Sequence, residues 1–490
     1  MRRYVLYVGI FSLLLITACG NPVSDASRDS LMNAEIGDYP AAVQYVIDWD
    51  VDYEKEKIFG ECELTVQNPS GSPMRIIPLI LYRLMDVTAV SDETGNPLNF
   101  SQRVLKYDDW EQLQVNHIRI ALDPPLPPGD RKTVRISYGG HLLGCTEAMR
   151  YVKDTVSKEF TLLRTDSNVY PRIGTNSWAS NRAAGLGSFD FRVSVRIPEG
   201  LIAANSGNLV SKETTNGETT YTFTSRVPSW RIDVAIAGFD LLQNPDGLLK
   251  IYSLPGDREA AENILEAMVD TMDLYEGWFG PLKVFEGLTV IEVPSGYGSQ
   301  ADVAAIIQQA SGFREKDNLY EFYHELSHIW NVEAKDPLPP RFESEGLGMF
   351  LQHFVEEKRD GKTDALKDAV ETSLERMKKH FTDHPEALEV PMIDYGTEQM
   401  TDLSYRMGQI LFYLLFEKMG ESEFLAAVGG FYQEYNELGA TAQQFVDYFK
   451  NRTVVDLDRI FEEWVLTPKA AEILKDGITR TELIARYTQR

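Results

Sequence analysis

Residues 324–328 read His324-Glu325-Leu326-Ser327-His328. On a helix the two histidines lie one turn apart on the same face, where two imidazoles can hold a single Zn²⁺. Glu325 sits between them, beside any metal-bound water. Neutral nitrogen ligands leave the ion electron-poor enough to draw the pKa of that water towards neutrality, and an adjacent carboxylate can take its proton as it attacks a carbonyl. That is the chemistry of peptide hydrolysis. A tetrahedral catalytic site needs a third protein ligand and keeps its fourth position open. The prolines of Asp336-Pro337-Leu338-Pro339-Pro340 end the first helix and turn the chain, and the apolar run after Glu345 begins a second helix whose first turn can face the metal. Glu343 and Glu345 are two residues apart, so both cannot be assumed to point at one site. An acidic first turn stabilised by the helix dipole accounts for Glu343 better than for Glu345. Glu345 is therefore the expected third ligand, with one zinc per chain.

The chain has seven histidines, and the other five act as a control. His380 and His384 repeat the i, i+4 spacing, but Asp383 stands where the inverted zinc motif has Glu, and Pro385 follows at once. They read as the solvated end of a helix from Thr363 to Phe381. His117, His141 and His353 have no partner at ligand spacing and read as structural or surface residues.

The pattern resembles that of the gluzincin aminopeptidases typified by aminopeptidase N and leukotriene hydrolase, which have H-E-x-x-H followed by the Glu of an N-E-G segment. Here sixteen residues separate His328 from Glu345 in Ser344-Glu345-Gly346, two fewer than is usual in that family. Trp330 stands where the family has Trp, and His328-Ile329-Trp330-Asn331-Val332 is also similar to the glycyl aminopeptidase group of the same clan. Sixty residues past Glu345, Ser404-Tyr405-Arg406-Met407-Gly408 looks like the family's Y-x-K-G segment with Met407 in place of lysine. The resemblance implies that the Tyr405 hydroxyl donates to the oxyanion of the tetrahedral intermediate. Upstream, relatives carry G-x-M-E-N on an edge strand, its Glu binding the α-amine of the substrate. The corresponding stretch is Gly298-Ser299-Gln300-Ala301-Asp302, which puts Ala301 at the amine-binding position. Alanine cannot bind an ammonium, although Asp302 could compensate if a slip or bulge re-aimed it. The resemblance thus implies a zinc peptidase acting on peptide substrates, with altered recognition of the N-terminus. A non-catalytic, zinc-containing surface lipoprotein that binds peptides is the alternative; Glu325 and Tyr405 favour the enzyme, because binding alone needs neither.

At the N-terminus, Arg2 and Arg3 precede an apolar run from Tyr4 to Ile16, too short for a comfortable membrane span and shaped like a signal peptide. The closing Ile16-Thr17-Ala18-Cys19 resembles the bacterial lipobox, which implies cleavage within 1–19, lipidation of Cys19 and an extracytoplasmic protein held to a membrane. Residues 20–40 read as a flexible tether. Cys62 and Cys145 remain, too few for a disulfide framework but enough for one bridge. A net charge of −26, from 48 basic and 74 acidic residues, argues against a nucleic-acid partner.

The expected fold class is α+β and multidomain. Residues 41–243 alternate apolar and polar positions, as in Phe189-Asp190-Phe191-Arg192-Val193-Ser194-Val195-Arg196-Ile197, and predict a twisted β domain. Residues 244–467 turn helical around a short strand at Leu288–Val293, as the resemblance to a thermolysin-like α/β zinc peptidase domain requires. A short helical tail, 468–490, closes the chain. Full-length relatives continue into a large helical domain over the active site; the pattern here implies a more open cleft, or one roofed by another subunit.

Overall fold

A computed structural model describes residues 30–183 and 187–488. Cys19, the signal segment 1–19 and residues 20–29 of the expected tether lie outside them. Among the described residues, no helix is long and apolar enough to cross a membrane.

The N-terminal half is β-structure. Its largest sheet has seven strands, in spatial order Asn208–Thr215, Glu218–Thr224, Asp190–Pro198, Ala41–Asp52, Lys57–Gln67, Arg131–His141 and Met85–Asp92. The alternation read in the sequence is the reason: in Asp190–Pro198, Phe191, Val193, Val195 and Ile197 are buried while the residues between them face outward or lie half-exposed. Ala41–Asp52 and Asp190–Pro198 pair in parallel across the middle of the sheet. A four-stranded sheet, Phe100–Lys106, Gln114–Leu126, Met74–Tyr82 and Arg172–Ile173, shares its core. Cys62 and Cys145 are free, buried thiols in separate apolar clusters.

On the strand Gln114–Leu126, His117 is 1% exposed and neither ring nitrogen has a hydrogen-bond partner. Burial, helped by the nearby Arg119, pushes its pKa from 6.5 down to about 4. Between those two values the unfolded chain holds the extra proton and the folded one does not. Stability from this group is therefore complete above pH 6.5, falls as the pH drops towards 4, and levels off below. The loss reaches about 3 kcal/mol at most. Urea unfolding at pH 7 and pH 4 should show a His117→Phe variant losing correspondingly less than the wild type; equal losses would count against the assignment.

The second half wraps helices around a five-stranded sheet, in order Asp240–Gln243, Leu249–Ser253, Leu288–Val293, Ala305–Gln309 and Gln300–Ala301. The three middle strands run parallel. Every residue of Leu288–Val293 is buried, as expected for a strand covered on both faces. Asp240–Gln243, read from sequence with the β domain, pairs with Leu249–Ser253 instead, because the turn at Asp246-Gly247 folds the two into a hairpin. Helix α1 (Arg258–Phe279) makes the crossover to Leu288–Val293, and α2 (Leu319–Ser327), α3 (Leu347–Lys358), α4 (Ala365–Asp383) and α5 (Ser404–Met419) share one apolar core with it. The segment read as a tail belongs to that core. Helices Lys469–Asp476 and Arg480–Thr488 bury Leu474, Leu483 and Tyr487, whose hydroxyl accepts from the Trp464 indole at 3.0 Å.

Candidate zinc site and cleft

Helix α2 carries His324 in its last turn, and His328 opens the single 3₁₀ turn that follows, so the two imidazoles still project to one side. Trp330 closes that turn. It is buried, donates from its indole to the Gly280 carbonyl at 3.0 Å, and meets Tyr275 edge-on at 5.5 Å between centroids, which ties the motif to the end of α1. The proline loop returns the chain and is held there by Asp336, which accepts from the Ala442 amide.

The second helix does not begin at Glu345. A π-helical turn, Phe342–Gly346, precedes α3, and Arg341 before it has a left-handed backbone (φ 69°). That conformation is costly for a side chain with a Cβ, on the order of 1 kcal/mol, and is found where the surroundings enforce it. Here the Arg341 guanidinium reaches forward to pair with Glu345. The π turn places Glu345, not Glu343, with the histidines. Glu343 is enclosed with both oxygens unpartnered, and burial, with Asp336 near, pushes its pKa up to about 7.

Among the described residues, His324, His328 and Glu345 are the group of three whose ligand atoms converge, all within 4.8 Å of one another. The two Nε2 atoms are 3.2 Å apart, and Glu345 Oε2 is 3.2 Å from one and 3.5 Å from the other. Zinc bonded at about 2.0–2.1 Å to three corners of a tetrahedron spaces its ligand atoms roughly 3.4 Å apart, so the donors fit the ion in type and spacing. Burial pushes the Glu345 carboxyl up, but His328, Arg341 and His324 outweigh it and hold the pKa well below the usual carboxylate range. The Asn331 carboxamide lies 2.8 Å from His328 Nδ1. With Nε2 turned to a metal, Nδ1 keeps its proton and needs an acceptor, which the amide oxygen supplies once the carboxamide is turned that way. Asn331 was not singled out from sequence, although it stands three residues from His328.

Glu325 projects towards the edge strand Gln300–Ala301. Burial pushes its pKa up to about 7, with His324 opposing and Glu345 adding to the rise, and the Ala301 amide lies against its carboxyl. Tyr405 enters from the first turn of α5, its ring nearly parallel to that of His324 at 6.1 Å. Burial and then Glu345 raise its pKa. Two glycines allow this approach: a Cβ on Gly346 would lie 2.5 Å from the Gly408 Cα, so any side chain at either position would push α5, and Tyr405 with it, off the ligand turn. Gly348 has a similar role towards His324. A Cβ there would sit 2.9 Å from His324 Cε1 and 3.0 Å from Nδ1. Gly348→Ala favours the helix intrinsically, yet it should displace the ring and weaken zinc binding by about 10-fold. Chelator competition measures this, and unchanged affinity would show that the ring has room.

The edge strand holds Ala301 opposite Ile306. Gly298 packs against the Tyr151 side chain, and its backbone is left-handed (φ 74°). Asp302 accepts at one oxygen, Oδ1, from the Ser229 hydroxyl (2.8 Å) and the Val303 amide (2.7 Å), beside Arg231. His380 and His384 stack at 4.7 Å at the end of α4, with no acidic group completing a metal triad there among the described residues.

No protein-family profile and no curated protein matches the sequence. Solved structures do. An M1 zinc metallopeptidase from Deinococcus radiodurans is 17% identical, with 89% of this chain and 96% of that one covered, at a TM-score of 0.63. A mutant M1 zinc metallopeptidase from the same organism, bound to a Tyr-Ser-Ala substrate, is 18% identical over 87% and 94%, at 0.62. A two-domain M1 zinc metallopeptidase mutant bound to L-tryptophan is 17% identical over 91% and 96%, at 0.60. At such identities the likeness is one of fold: this chain has the α+β architecture of the M1 zinc metallopeptidases.

Proposed function

We propose that this chain is a zinc-dependent peptidase that hydrolyses peptide bonds with water as the nucleophile. What carries the reading is the convergence of His324, His328 and Glu345 with Glu325 and Tyr405 around one cleft. The three ligands would hold zinc, whose Lewis acidity makes water nucleophilic near neutral pH. Glu325 takes the proton of the attacking water and returns it to the leaving amine, a role suited to a carboxyl whose burial raises its proton affinity. Tyr405 donates to the oxyanion of the tetrahedral intermediate. Asn331 and Arg341 orient His328 and Glu345. On the same reading the chain works outside the cytoplasm, tethered by lipid on Cys19.

Recognition of the N-terminus should be weak, because Ala301 offers no charge and Asp302 is already engaged. Matched peptides with free and acetylated N-termini are expected to differ by less than about 10-fold in kcat/KM, against the 10²- to 10³-fold that a buried carboxylate–ammonium pair would give. A strong preference for free amines that disappears in Asp302→Ala would overturn this. Failure to cleave any peptide of a broad library by the zinc-loaded protein would overturn the peptidase reading itself.

A further inference from the structure

Gln300–Ala301 is the outermost strand of its sheet and is bonded on one side only, to Ala305–Gln309. Towards α2 it turns the Ala301 amide, which lies against the Glu325 carboxyl. An extended peptide laid along such an edge pairs with it through main-chain hydrogen bonds. Where the peptide then lies relative to the ligand face of α2 depends on what holds the strand to that helix.

The strand starts from the turn Pro294-Ser295-Gly296-Tyr297-Gly298-Ser299, in which Gly296 and Gly298 have left-handed backbones (φ 84° and 74°). This turn is held from two directions. From the β half, the fully buried Arg164, paired with Asp154 at 3.0 Å, donates to the Tyr297 carbonyl at 3.1 Å and to the Tyr151 carbonyl at 2.6 Å. From the sheet, the Ser299 hydroxyl accepts from the Gln308 carboxamide at 3.1 Å and from the Gln309 amide at 3.2 Å, and the Gln309 carboxamide oxygen accepts from the Gly296 amide at 3.3 Å. The nitrogen of that same carboxamide donates to Glu321 Oε2 at 2.8 Å.

Glu321 is half-buried and stands one turn before Glu325 on the same face of α2. Its carboxylate fixes which way the Gln309 carboxamide points: with the nitrogen held by an acid, the oxygen is left for Gly296. Gly312 makes the room, because a Cβ there would lie 2.4 Å from Gln308 Nε2 and 2.8 Å from Glu321 Oε2.

We propose, resting on the peptidase reading above, that Glu321 is a positioning residue for the substrate: through Gln309 it ties the edge strand to the helix that carries His324, Glu325 and His328, and so sets where a bound peptide lies relative to them. Loss of the tie lets the turn shift against α2 and weakens the hold on an extended peptide, while the atoms that do the chemistry stay in place.

Three substitutions in the zinc-loaded protein test this. Glu321→Ala removes the acceptor, Glu321→Gln keeps an acceptor without the charge, and Gln309→Ala removes the donor. In a Glu325→Gln background, which binds without turnover, the probe is the tightest-binding member of a library of N-acetylated, C-amidated hexapeptides. Its Kd should rise about 10-fold or more with Glu321→Ala or Gln309→Ala, and no further with both together, because the two act as one unit. With Glu321→Gln it should stay within about 3-fold of its starting value, since the acceptor is kept. Zinc content and thermal midpoint should not change, and amide hydrogen exchange should quicken across residues 296–301 but not in α2. With Glu325 intact, Glu321→Ala should raise KM by the same factor and change kcat by less than about 3-fold. No binding by any member of the library, an unchanged Kd in Glu321→Ala, additive losses in the double variant, or a loss in Glu321→Gln as large as in Glu321→Ala overturns the proposal. Zinc or thermal midpoint lost in step with binding would mark a merely structural role and likewise overturn it. These Kd shifts without hydrolysis in the unsubstituted protein would sink the peptidase reading alone. Hydrolysis with none of the shifts would sink this inference alone.

Discussion

Replacing Glu325 with Gln should lower kcat by about 10³-fold while leaving zinc content and fold intact. The amide has the size of the carboxyl and keeps an acceptor for the Ala301 amide that lies against Glu325, so little in the packing changes. What it cannot do is take a proton. Water then attacks without a base, and the amine must leave without a donor, which together remove on the order of 4 kcal/mol of transition-state stabilisation. Because substrate binding does not need that proton, KM should hardly move. Tyr405→Phe should follow the same pattern on a smaller scale, roughly 10²-fold in kcat, since its hydrogen bond is formed mainly in the transition state. Steady-state kinetics with zinc analysis on the same samples decide this. Wild-type rates in Glu325→Gln would remove Glu325 from the mechanism.

The second large effect is on the metal. His324→Ala, His328→Ala and Glu345→Ala should each weaken zinc binding by about 10³-fold or more, because each removes one of only three protein donors. Glu343→Ala should keep zinc, since its carboxyl is not among the convergent atoms. Stability should follow the ion. Zinc at about a thousand times its Kd adds about 4 kcal/mol to the folded state by mass action, so chelation should lower the thermal midpoint by several degrees in the wild type and scarcely at all in the ligand variants. Near-stoichiometric zinc in Glu345→Ala, with loss in Glu343→Ala, would mean that the ligand turn is wrongly placed.

Much of the site was legible from sequence for a local reason. His324, Glu325 and His328 lie within one helical turn and a half, so the period of the helix places them without knowledge of the rest of the chain. Alternation made the β half legible in the same way. What failed was the behaviour of segments placed by particular contacts that neither the helix nor the strand period encodes. The turn before α3 begins at Phe342 as a π turn because Arg341, in a left-handed conformation, reaches forward to Glu345. Asp240–Gln243 joins the second sheet because a hairpin offers it Leu249–Ser253 as a partner. Lys469–Asp476 and Arg480–Thr488 read as a tail because nothing local shows that Leu474, Leu483 and Tyr487 have a core waiting for them.

The sequence by itself determined the chemistry available: two imidazoles and a carboxylate at helical spacing, acidic candidates for the third ligand, a tyrosine downstream, and alanine where resemblance leads one to expect an amine-binding acid. Only the tertiary structure decided which groups meet. It put Glu345 within 3.5 Å of both histidines and Glu343 elsewhere, closed α5 onto the ligand turn through Gly346 and Gly408, and turned Asp302 to Ser229. Spacing along one helix is set by backbone geometry that every residue shares. Contacts between distant segments depend on which apolar faces are buried together, and the chain states that only once it has folded.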